Sequence, residues 1–174
     1  SACSTESTGV TSMEGSVSIH NCTCVAGRYG AEEGPCQACP TGSWSAGGSL
    51  VVTDCKCNAG WTGPDGGPCS ECTAGTYKLG SNPGGCVACP EHAYSAAGSS
   101  NLTDCKCNAG YTGPDGGACT ACRAGTYKSS TGSAGCSACS TESTGVTSME
   151  GSVSIHNCTC VAGRYGAEEG PCQA

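Results

Sequence analysis

Residues 55–78 read CKCNAGWTGPDGGPCSECTAGTYK, and residues 105–128 read CKCNAGYTGPDGGACTACRAGTYK. The two stretches agree at 19 of 24 positions, and every Cys keeps its place. Similarity at a fixed spacing, here 50 residues, is typical of repeat architectures in which each unit contacts its neighbours. We therefore predict that the fold is a series of cysteine-rich units of roughly this length.

A second, longer repeat encloses the first. Residues 1–38 recur without a change at residues 137–174, an offset of 136 residues. This identity favours a block of three units that was duplicated as a whole, and we expect the chain to be cut from a longer precursor. The predicted divisions are the end of one repeat plus a shortened unit at 1–54, full units at 55–104 and 105–157, and the start of a further block at 158–174, which copies residues 22–38.

The composition leaves little material for an ordinary hydrophobic core. Twenty of the 174 residues are Cys, Phe is absent, and the chain has two Ile and three Leu. A core of normal size cannot be built from this inventory. Such a high Cys content in a short chain indicates a disulfide scaffold, which persists in oxidising compartments. The predicted location is therefore extracellular.

Charge and hydropathy exclude several classes of partner. The net charge is −7 with only seven Lys and Arg, so a nucleic-acid partner is disfavoured. No apolar stretch is long enough to span a bilayer. No signal peptide is visible, although secretion requires one. The acidic excess is expected to keep the protein soluble.

The length of the first unit supports pairing of neighbouring half-cystines. The unit starting at Cys22 is 17 residues shorter than the unit starting at Cys55, and the missing stretch removes two cysteines. If a stretch can be deleted and no cysteine is left without a partner, its two cysteines should be bonded to each other. This supports the disulfides Cys72–Cys86 and Cys122–Cys136. Sequential pairing then gives Cys3–Cys22, Cys24–Cys36, Cys39–Cys55, Cys57–Cys69, Cys72–Cys86, Cys89–Cys105, Cys107–Cys119, Cys122–Cys136, Cys139–Cys158 and Cys160–Cys172. Each loop contributes about 3 kcal/mol in the chain-entropy account.

Local sequence predicts small hairpins inside these loops. Pro64–Gly67 and Pro114–Gly117 should form tight turns, because Pro presets φ and Gly accepts left-handed conformations. We expect the aromatic residues to lie over disulfides as miniature cores: Tyr29, Trp61, Tyr111 and Tyr165 after CxxG, Tyr77 and Tyr127 in AGTYK, and Trp44 and Tyr94 after a boundary Cys, with Thr8 and Thr144 in that last position of the third unit. The predicted fold class is small and disulfide-rich: a linear array of short β-hairpin modules with little or no helix.

The motifs CNAGY, AGTYK and PEHAYS between the cysteines resemble the cysteine-rich motif of ephrin receptors. That motif is similar to tumour-necrosis-factor-receptor and growth-factor-like (EGF-like) modules, and the resemblance covers essentially the whole chain. It implies a fold and not a single function, because receptors, matrix proteins and protist surface proteins use it. Flagellar hair proteins (mastigonemes) and related algal surface filaments look similar in having long tandem arrays of such motifs, and the three-unit block with an unchanged copy fits that group better than a receptor. This resemblance implies a location at a cell or flagellar surface.

The growth-factor type of module implies a second pairing, which stays open at the level of sequence. Its interleaved order would give Cys72–Cys89 and Cys86–Cys105, while keeping Cys107–Cys119. The sequential order leaves no half-cystine without a neighbour, and we take it as the leading prediction.

Metal and catalytic sites are not expected. Cys69, Cys72, Cys86 and Cys89 have a spacing that fits four-thiolate zinc, but this would strand the CxC cysteines. Calcium-binding modules need clustered acidic residues, which are missing. The histidines His20, His92 and His156 are isolated and are interpreted as surface residues. We therefore predict no metal, no cofactor and no enzyme activity.

Three sequons for N-glycosylation predict covalent glycans, at Asn21, Asn101 and Asn157. Asn101 is the best candidate, because the other two have a half-cystine in the middle position. The leading functional hypothesis is a structural subunit of an extracellular filament or flagellar hair that self-associates, possibly with companion chains. The alternative is a ligand-binding ectodomain of a receptor or adhesion protein.

Overall fold

The structure is a computed structural model that describes residues 10–12, 22–31, 35–139, 145–166 and 172–173. Its strands are two or three residues long, as expected for loops closed every twelve to nineteen residues. They are β1 Val10–Ser12, β2 Cys22–Cys24, β3 Arg28–Tyr29, β4 Gln37–Ala38, β5 Ser43–Trp44, β6 Lys56–Cys57, β7 Trp61–Thr62, β8 Ser70–Glu71, β9 Thr76–Tyr77, β10 Val87–Ala88, β11 Ala93–Tyr94, β12 Lys106–Cys107, β13 Tyr111–Thr112, β14 Thr120–Ala121, β15 Thr126–Tyr127, β16 Ser137–Ala138, β17 Val146–Thr147 and β18 Thr159–Cys160.

The strands pair two by two into small hairpins. Within the described residues there are nine two-stranded sheets, and β13 and β14 are typical, with Tyr111 opposite Ala121 in antiparallel register. Helical structure in this part of the chain is confined to three-residue 3-10 turns at Val52–Asp54, Leu102–Asp104 and Ile155–Asn157. The predicted fold class, small, disulfide-rich and built of hairpin modules, is therefore confirmed. No helix among the described residues is long and apolar enough to cross a membrane.

The chain divides into two compact units. The first contains residues 1–87 with 97–101, and the second contains residues 88–96 with 102–174. In each unit the buried interior consists mainly of half-cystines, and Cys55 and Cys72 in the first, like Cys105 in the second, are fully buried. Disulfides thus occupy the place that aliphatic side chains fill in larger domains.

Nine disulfides lie within the described residues, and each joins neighbouring half-cystines in the sequential order. They are Cys24–Cys36, Cys39–Cys55, Cys57–Cys69, Cys72–Cys86, Cys89–Cys105, Cys107–Cys119, Cys122–Cys136, Cys139–Cys158 and Cys160–Cys172. The interleaved bonds Cys72–Cys89 and Cys86–Cys105 are not those of the structure. The predicted bond Cys3–Cys22 involves Cys3, which lies outside the described residues.

Backbone hydrogen bonds dock consecutive hairpins in the first unit. The Gly60 N–H donates to the Lys78 carbonyl at 2.9 Å, and the Gly60 carbonyl accepts from the Cys72 N–H at 2.8 Å. One hairpin further on, the Gly98 N–H donates to the Cys72 carbonyl at 2.9 Å. Each hairpin therefore satisfies backbone groups of the next one, as buried polar groups require.

The second unit repeats this pattern 50 residues later. The Gly110 N–H donates to the Lys128 carbonyl, the Cys122 N–H donates to the Gly110 carbonyl, and the Gly151 N–H donates to the Cys122 carbonyl, each at 2.8 Å. The same sequence signals thus give the same docking contacts in both units.

The shortened unit shows what its 17-residue deletion removes. Its Gly48 N–H donates to the Cys24 carbonyl at 2.7 Å, which matches the bond from Gly98 to Cys72 in the full unit. The hairpin that carries the bond Cys72–Cys86 has no counterpart here, and the two flanking hairpins dock directly. The deletion therefore removes one whole hairpin and keeps the docking contact.

The predicted turns are present, because the Gly67 N–H donates to the Pro64 carbonyl at 3.0 Å and Gly66 has a φ of 71°. The prediction that the aromatic side chains form miniature cores is wrong for three of them. Trp44 is 48% exposed, Tyr94 is 52% exposed and Tyr165 is 66% exposed. Strands of two residues are too narrow to bury a large ring, and the buried hydrophobic residues in the described part of the chain are all half-cystines.

The third unit has a different register from the one predicted. Thr147 pairs with Thr159 in the way that Trp44 pairs with Lys56. Thr147, and not Thr144, therefore occupies the position of Trp44, because the three extra residues of this loop precede the strand. Thr144 and its copy Thr8 lie outside the described residues.

Candidate functional site: the hairpin docking surface

Two glycines make the closest approach between docked hairpins. Gly60 and Gly110 have φ values of 77° and 81°, in the left-handed region that favours Gly. A Cβ on Gly60 would lie well under 3.0 Å from the Gly98 carbonyl oxygen, and a Cβ on Gly110 would meet the Gly151 carbonyl oxygen in the same way. The Gly of the CNAG motif is thus required by both backbone conformation and contact.

A buried lysine lies beneath each of these contacts. Lys78 and Lys128 are only 2% and 3% exposed. The Lys78 ammonium donates to the Cys57 carbonyl at 2.8 Å and to the Asn58 carbonyl at 3.3 Å. Burial of a charge is costly unless its hydrogen-bonding capacity is used, and these carbonyls use it. The lysine thereby ties one hairpin to the CxC segment of the preceding one.

Lys128 is held by more carbonyls than Lys78. Its ammonium donates to the Gly132 carbonyl at 2.6 Å and to the Tyr111 carbonyl at 2.7 Å, with longer bonds to Cys107 at 3.5 Å and Asn108 at 3.4 Å. Sequence reasoning missed this role. A signal was present, since two of the seven basic residues stand at the same place in the AGTYK motif of both repeats.

Burial lowers the pKa of the Lys78 and Lys128 amines below the ordinary value, against the opposing charge of Asp65 and Asp115. Between the lowered pKa and the ordinary Lys value of about 10.4, the unfolded chain binds more protons than the folded chain. We therefore predict that these lysines make the free energy of unfolding rise as pH increases through this window.

Denaturant unfolding with intact disulfides, measured at several alkaline pH values, tests this prediction. In the matched double variant Lys78→Met/Lys128→Met, the free energy of unfolding should increase less with pH, because these two amines are absent. An equal pH dependence in the parent and the variant would contradict it.

Each full repeat also has an ion pair next to the turn. Lys56 contacts Asp65 at 2.5 Å, and Lys106 contacts Asp115 at 2.6 Å. Both pairs are partly exposed, so we expect a small contribution to stability. They fix the turn relative to the first strand of its own repeat.

In both full repeats, the aromatic ring that follows the CxC segment lies against a residue with a left-handed φ. A Cβ on Gly42 would lie 2.5 Å from the Trp61 ring. At the equivalent place His92 has a φ of 61° and stacks on Tyr111, with ring centroids 4.0 Å apart. His92 was interpreted as an isolated surface residue: it is exposed, as expected, but it is not isolated, because its ring stacks on Tyr111.

The sequon residues lie apart from the docking contacts. Asn101 is exposed and directly precedes the 3-10 turn Leu102–Asp104. Asn157 is also exposed, but its Oδ1 accepts from the Ser154 N–H at 3.0 Å and so caps a 3-10 turn. Asn21 and His20 lie outside the described residues, and the glycans at all three sequons stay predictions.

The four cysteines considered for zinc belong to three different disulfides. Cys69 pairs with Cys57, Cys72 pairs with Cys86, and Cys89 pairs with Cys105. Their sulfurs are therefore oxidised, and a disulfide sulfur is not the thiolate that zinc requires. Among the described residues, no cluster of three or more His, Cys, Asp or Glu side chains could hold a metal ion.

Comparison with known proteins gives one family for this arrangement. A search of curated proteins found no match. Residues 110–158 match the family model of the tyrosine-protein kinase ephrin type A/B receptor-like repeat. This segment begins at Gly110 of the docking contact and ends at Cys158, so it contains two complete hairpins, β13–β14 and β15–β16, and the first strand of the next, β17. The match and the repeated disulfides fit an extracellular location. The chain thus contains an ephrin-receptor-like cysteine-rich module at residues 110–158, in agreement with the resemblance of its motifs.

Proposed function

We propose that the protein is a structural subunit of an extracellular filament, such as a flagellar hair, built from disulfide-locked tandem repeats. The observation that carries the proposal is the repeated docking contact. In both units a hairpin is closed by its own disulfide and is hydrogen-bonded to the next hairpin through equivalent backbone groups. Such an array can be extended by further hairpins without new kinds of contact, as a long filament requires.

The covalent path through the chain supports a mechanical role. Successive disulfide loops are joined by links of only two or three peptide units, such as Cys55–Cys57 and Cys69–Cys72. Tension applied along the chain passes through these links and the disulfides, so residues inside a loop are not pulled out. The array therefore resists extension even if its hydrogen bonds break.

Block identity supports self-association. Because residues 1–38 and 137–174 are identical, each block offers the same side chains to a neighbouring copy. Identical heterologous contacts generate open filaments when they do not close into a ring. The proposal includes self-association, possibly with companion chains, and it requires no cofactor and no catalytic activity.

Glycosylation of Asn101 belongs to this proposal. The side chain is exposed, and its sequon precedes a 3-10 turn on the surface. We predict that Asn101→Gln removes one N-glycan from protein secreted by eukaryotic cells, seen as the loss of one glycan mass in intact-protein mass spectrometry. An unchanged glycan mass in the Asn101→Gln variant would contradict the prediction.

The equivalent substitution Asn157→Gln is the matched comparison. Its sequon contains Cys158, which is buried and bonded to Cys139, and its side-chain oxygen is used as a cap. We predict partial occupancy at Asn157, because formation of the disulfide competes with modification. Full occupancy at Asn157 with none at Asn101 would reverse this ranking and contradict it.

Electron microscopy of the native source tests the filament proposal. Labelling with an antibody to residues 79–85, which are exposed and contain no sequon, should decorate extracellular filaments at a regular axial spacing. The family match at residues 110–158 supports the alternative, a receptor or adhesion ectodomain. Label confined to isolated monomers that bind a soluble ligand would favour that alternative and contradict the filament.

A further inference from the structure

The two nearly identical repeats differ at five positions, and four of these lie close together. The pairs are Trp61 and Tyr111, Pro68 and Ala118, Ser70 and Thr120, Glu71 and Ala121, and Thr73 and Arg123. Residues 68–73 and 118–123 contain the second strand of the CxC hairpin and its flanks, β8 in the first unit and β14 in the second. Within residues 55–78 and 105–128, the only other difference is Trp61 against Tyr111, so this strand is where these two stretches differ most.

In the second unit this strand borders an open groove. The groove has a volume of ≈ 330 Å³, and Ala121, Arg123 and Cys136 are among the residues that line it. Ala121 stands where the first repeat has Glu71, so the groove lacks the longer side chain of its counterpart. The Thr120 and Thr126 hydroxyls at its wall donate to backbone carbonyls at 3.2 and 2.7 Å.

Arg123 is the cationic residue at this groove, and it differs from the four described lysines. Lys56 and Lys106 pair with aspartates, while Lys78 and Lys128 are buried on carbonyls. Arg123 is exposed, and while its backbone carbonyl accepts from Thr126, its guanidinium has no hydrogen-bond or ion-pair partner among the described residues. In a chain of net charge −7, an unpaired guanidinium beside a groove favours an acidic occupant.

The equivalent strand of the first unit carries the opposite charge. Glu71 is exposed in β8, opposite Trp61, and has no ion-pair partner in the described part of the chain. The first repeat thus presents a carboxylate where the second presents a groove and a guanidinium. These two surfaces are complementary in charge.

We propose that the groove beside Arg123 binds the Glu71 carboxylate of a second copy of this chain. The contact is heterologous, with the groove on one copy and Glu71 on the next, so that copies lie staggered by one 50-residue repeat. Each copy has one groove and one Glu71, and the contact can therefore propagate. The inference deepens the proposed filament function, because it supplies a lateral contact between strands.

One ion pair at a surface gives a modest affinity and mainly specifies orientation and partner. In an array of blocks the same contact recurs, and the effective concentration of neighbouring contacts multiplies the affinity. The ion pair thus determines how far neighbouring chains are offset. Repetition of the contact strengthens their association.

Charge exchange between copies tests the contact on the 174-residue chain, secreted in its oxidised form. Glu71→Arg and Arg123→Glu each place like charges at the contact, and each should weaken self-association about tenfold in sedimentation equilibrium at low salt. An equimolar mixture of the two variants should restore association, because each variant carries the residue that complements the other.

Glu150→Arg is the matched control, since Glu150 is an exposed carboxylate on a different hairpin and the change in net charge equals that of Glu71→Arg. It should leave association unchanged. Disulfide mapping of every variant verifies that the fold is retained. A parent chain that stays monomeric, an unrestored mixture, or a control that weakens association as strongly would overturn the proposal.

The outcomes also separate this contact from the proposed function. Filaments in the native source together with charge variants that associate like the parent would overturn the Glu71–Arg123 contact alone. Restored association in the variant mixture together with a native source that contains no filaments would overturn the filament function alone.

Discussion

An oxidised chain pulled by its ends should reach a length of only about 120 Å between Cys24 and Cys172, whereas the reduced chain should reach about 500 Å. In the oxidised chain the tension follows the eight short links and the nine disulfides, whose Cα–Cα distances are 5.5 to 5.7 Å. In the reduced chain every residue contributes its extended length. Single-molecule force spectroscopy with and without reductant measures both values.

Removal of a single disulfide provides the control for this experiment. The pair Cys122→Ser and Cys136→Ser releases a loop with a sequence separation of 14 residues, and the oxidised chain should then extend by about 40 Å more. The increment should scale with loop size when other bonds are removed. An oxidised parent chain that extends as far as the reduced one would show that the loops are not closed.

The second large effect is expected from Gly110→Ala. The new Cβ would clash with the Gly151 carbonyl and would also have to adopt a left-handed φ, which costs L-residues about 1–2 kcal/mol. With the clash and the disturbed docking hydrogen bonds included, we expect the free energy of local opening to fall by about 3 kcal/mol. Because repeat arrays open locally, the measurement is hydrogen exchange of the Cys122 and Gly151 amides, which donate across this contact.

Gly125→Ala is the matched control for the contact. Gly125 has a φ of 82°, nearly that of Gly110, but no described atom lies within 4 Å of the position of its Cβ. The expected cost is that of the left-handed conformation alone, about 1 kcal/mol. Equal protection losses in the two variants would mean that the approach of Gly110 to Gly151 adds nothing beyond backbone strain.

The spacing of the cysteines was sufficient to predict the hairpin modules. Loops closed over twelve to nineteen residues leave room for one turn and two short strands, so the closure itself determines the local structure. The deletion in the first unit pointed to Cys72–Cys86 as a self-contained loop, and the structure has that bond. Covalent constraints of this kind are readable from spacing because they do not depend on packing.

The docking surface could not be predicted in the same way, because it depends on contacts between different hairpins. A Lys in a short polar loop suggests a solvated side chain, yet Lys78 and Lys128 are buried on carbonyls that the preceding CxC segment supplies. His92 likewise gains its stacking partner Tyr111 only when two hairpins meet. The aromatic residues were misjudged for the related reason that narrow hairpins cannot cover them, as Trp44 shows.

Mass spectrometry of unreduced peptides tests the pairing of neighbouring half-cystines most directly. Cleavage beside the exposed Val87, between Cys86 and Cys89, separates the two pairings. We predict one linked peptide containing Cys72 with Cys86 and another containing Cys89 with Cys105. A linked peptide containing Cys72 with Cys89, or these cysteines recovered as free thiols from the native protein, would contradict the account.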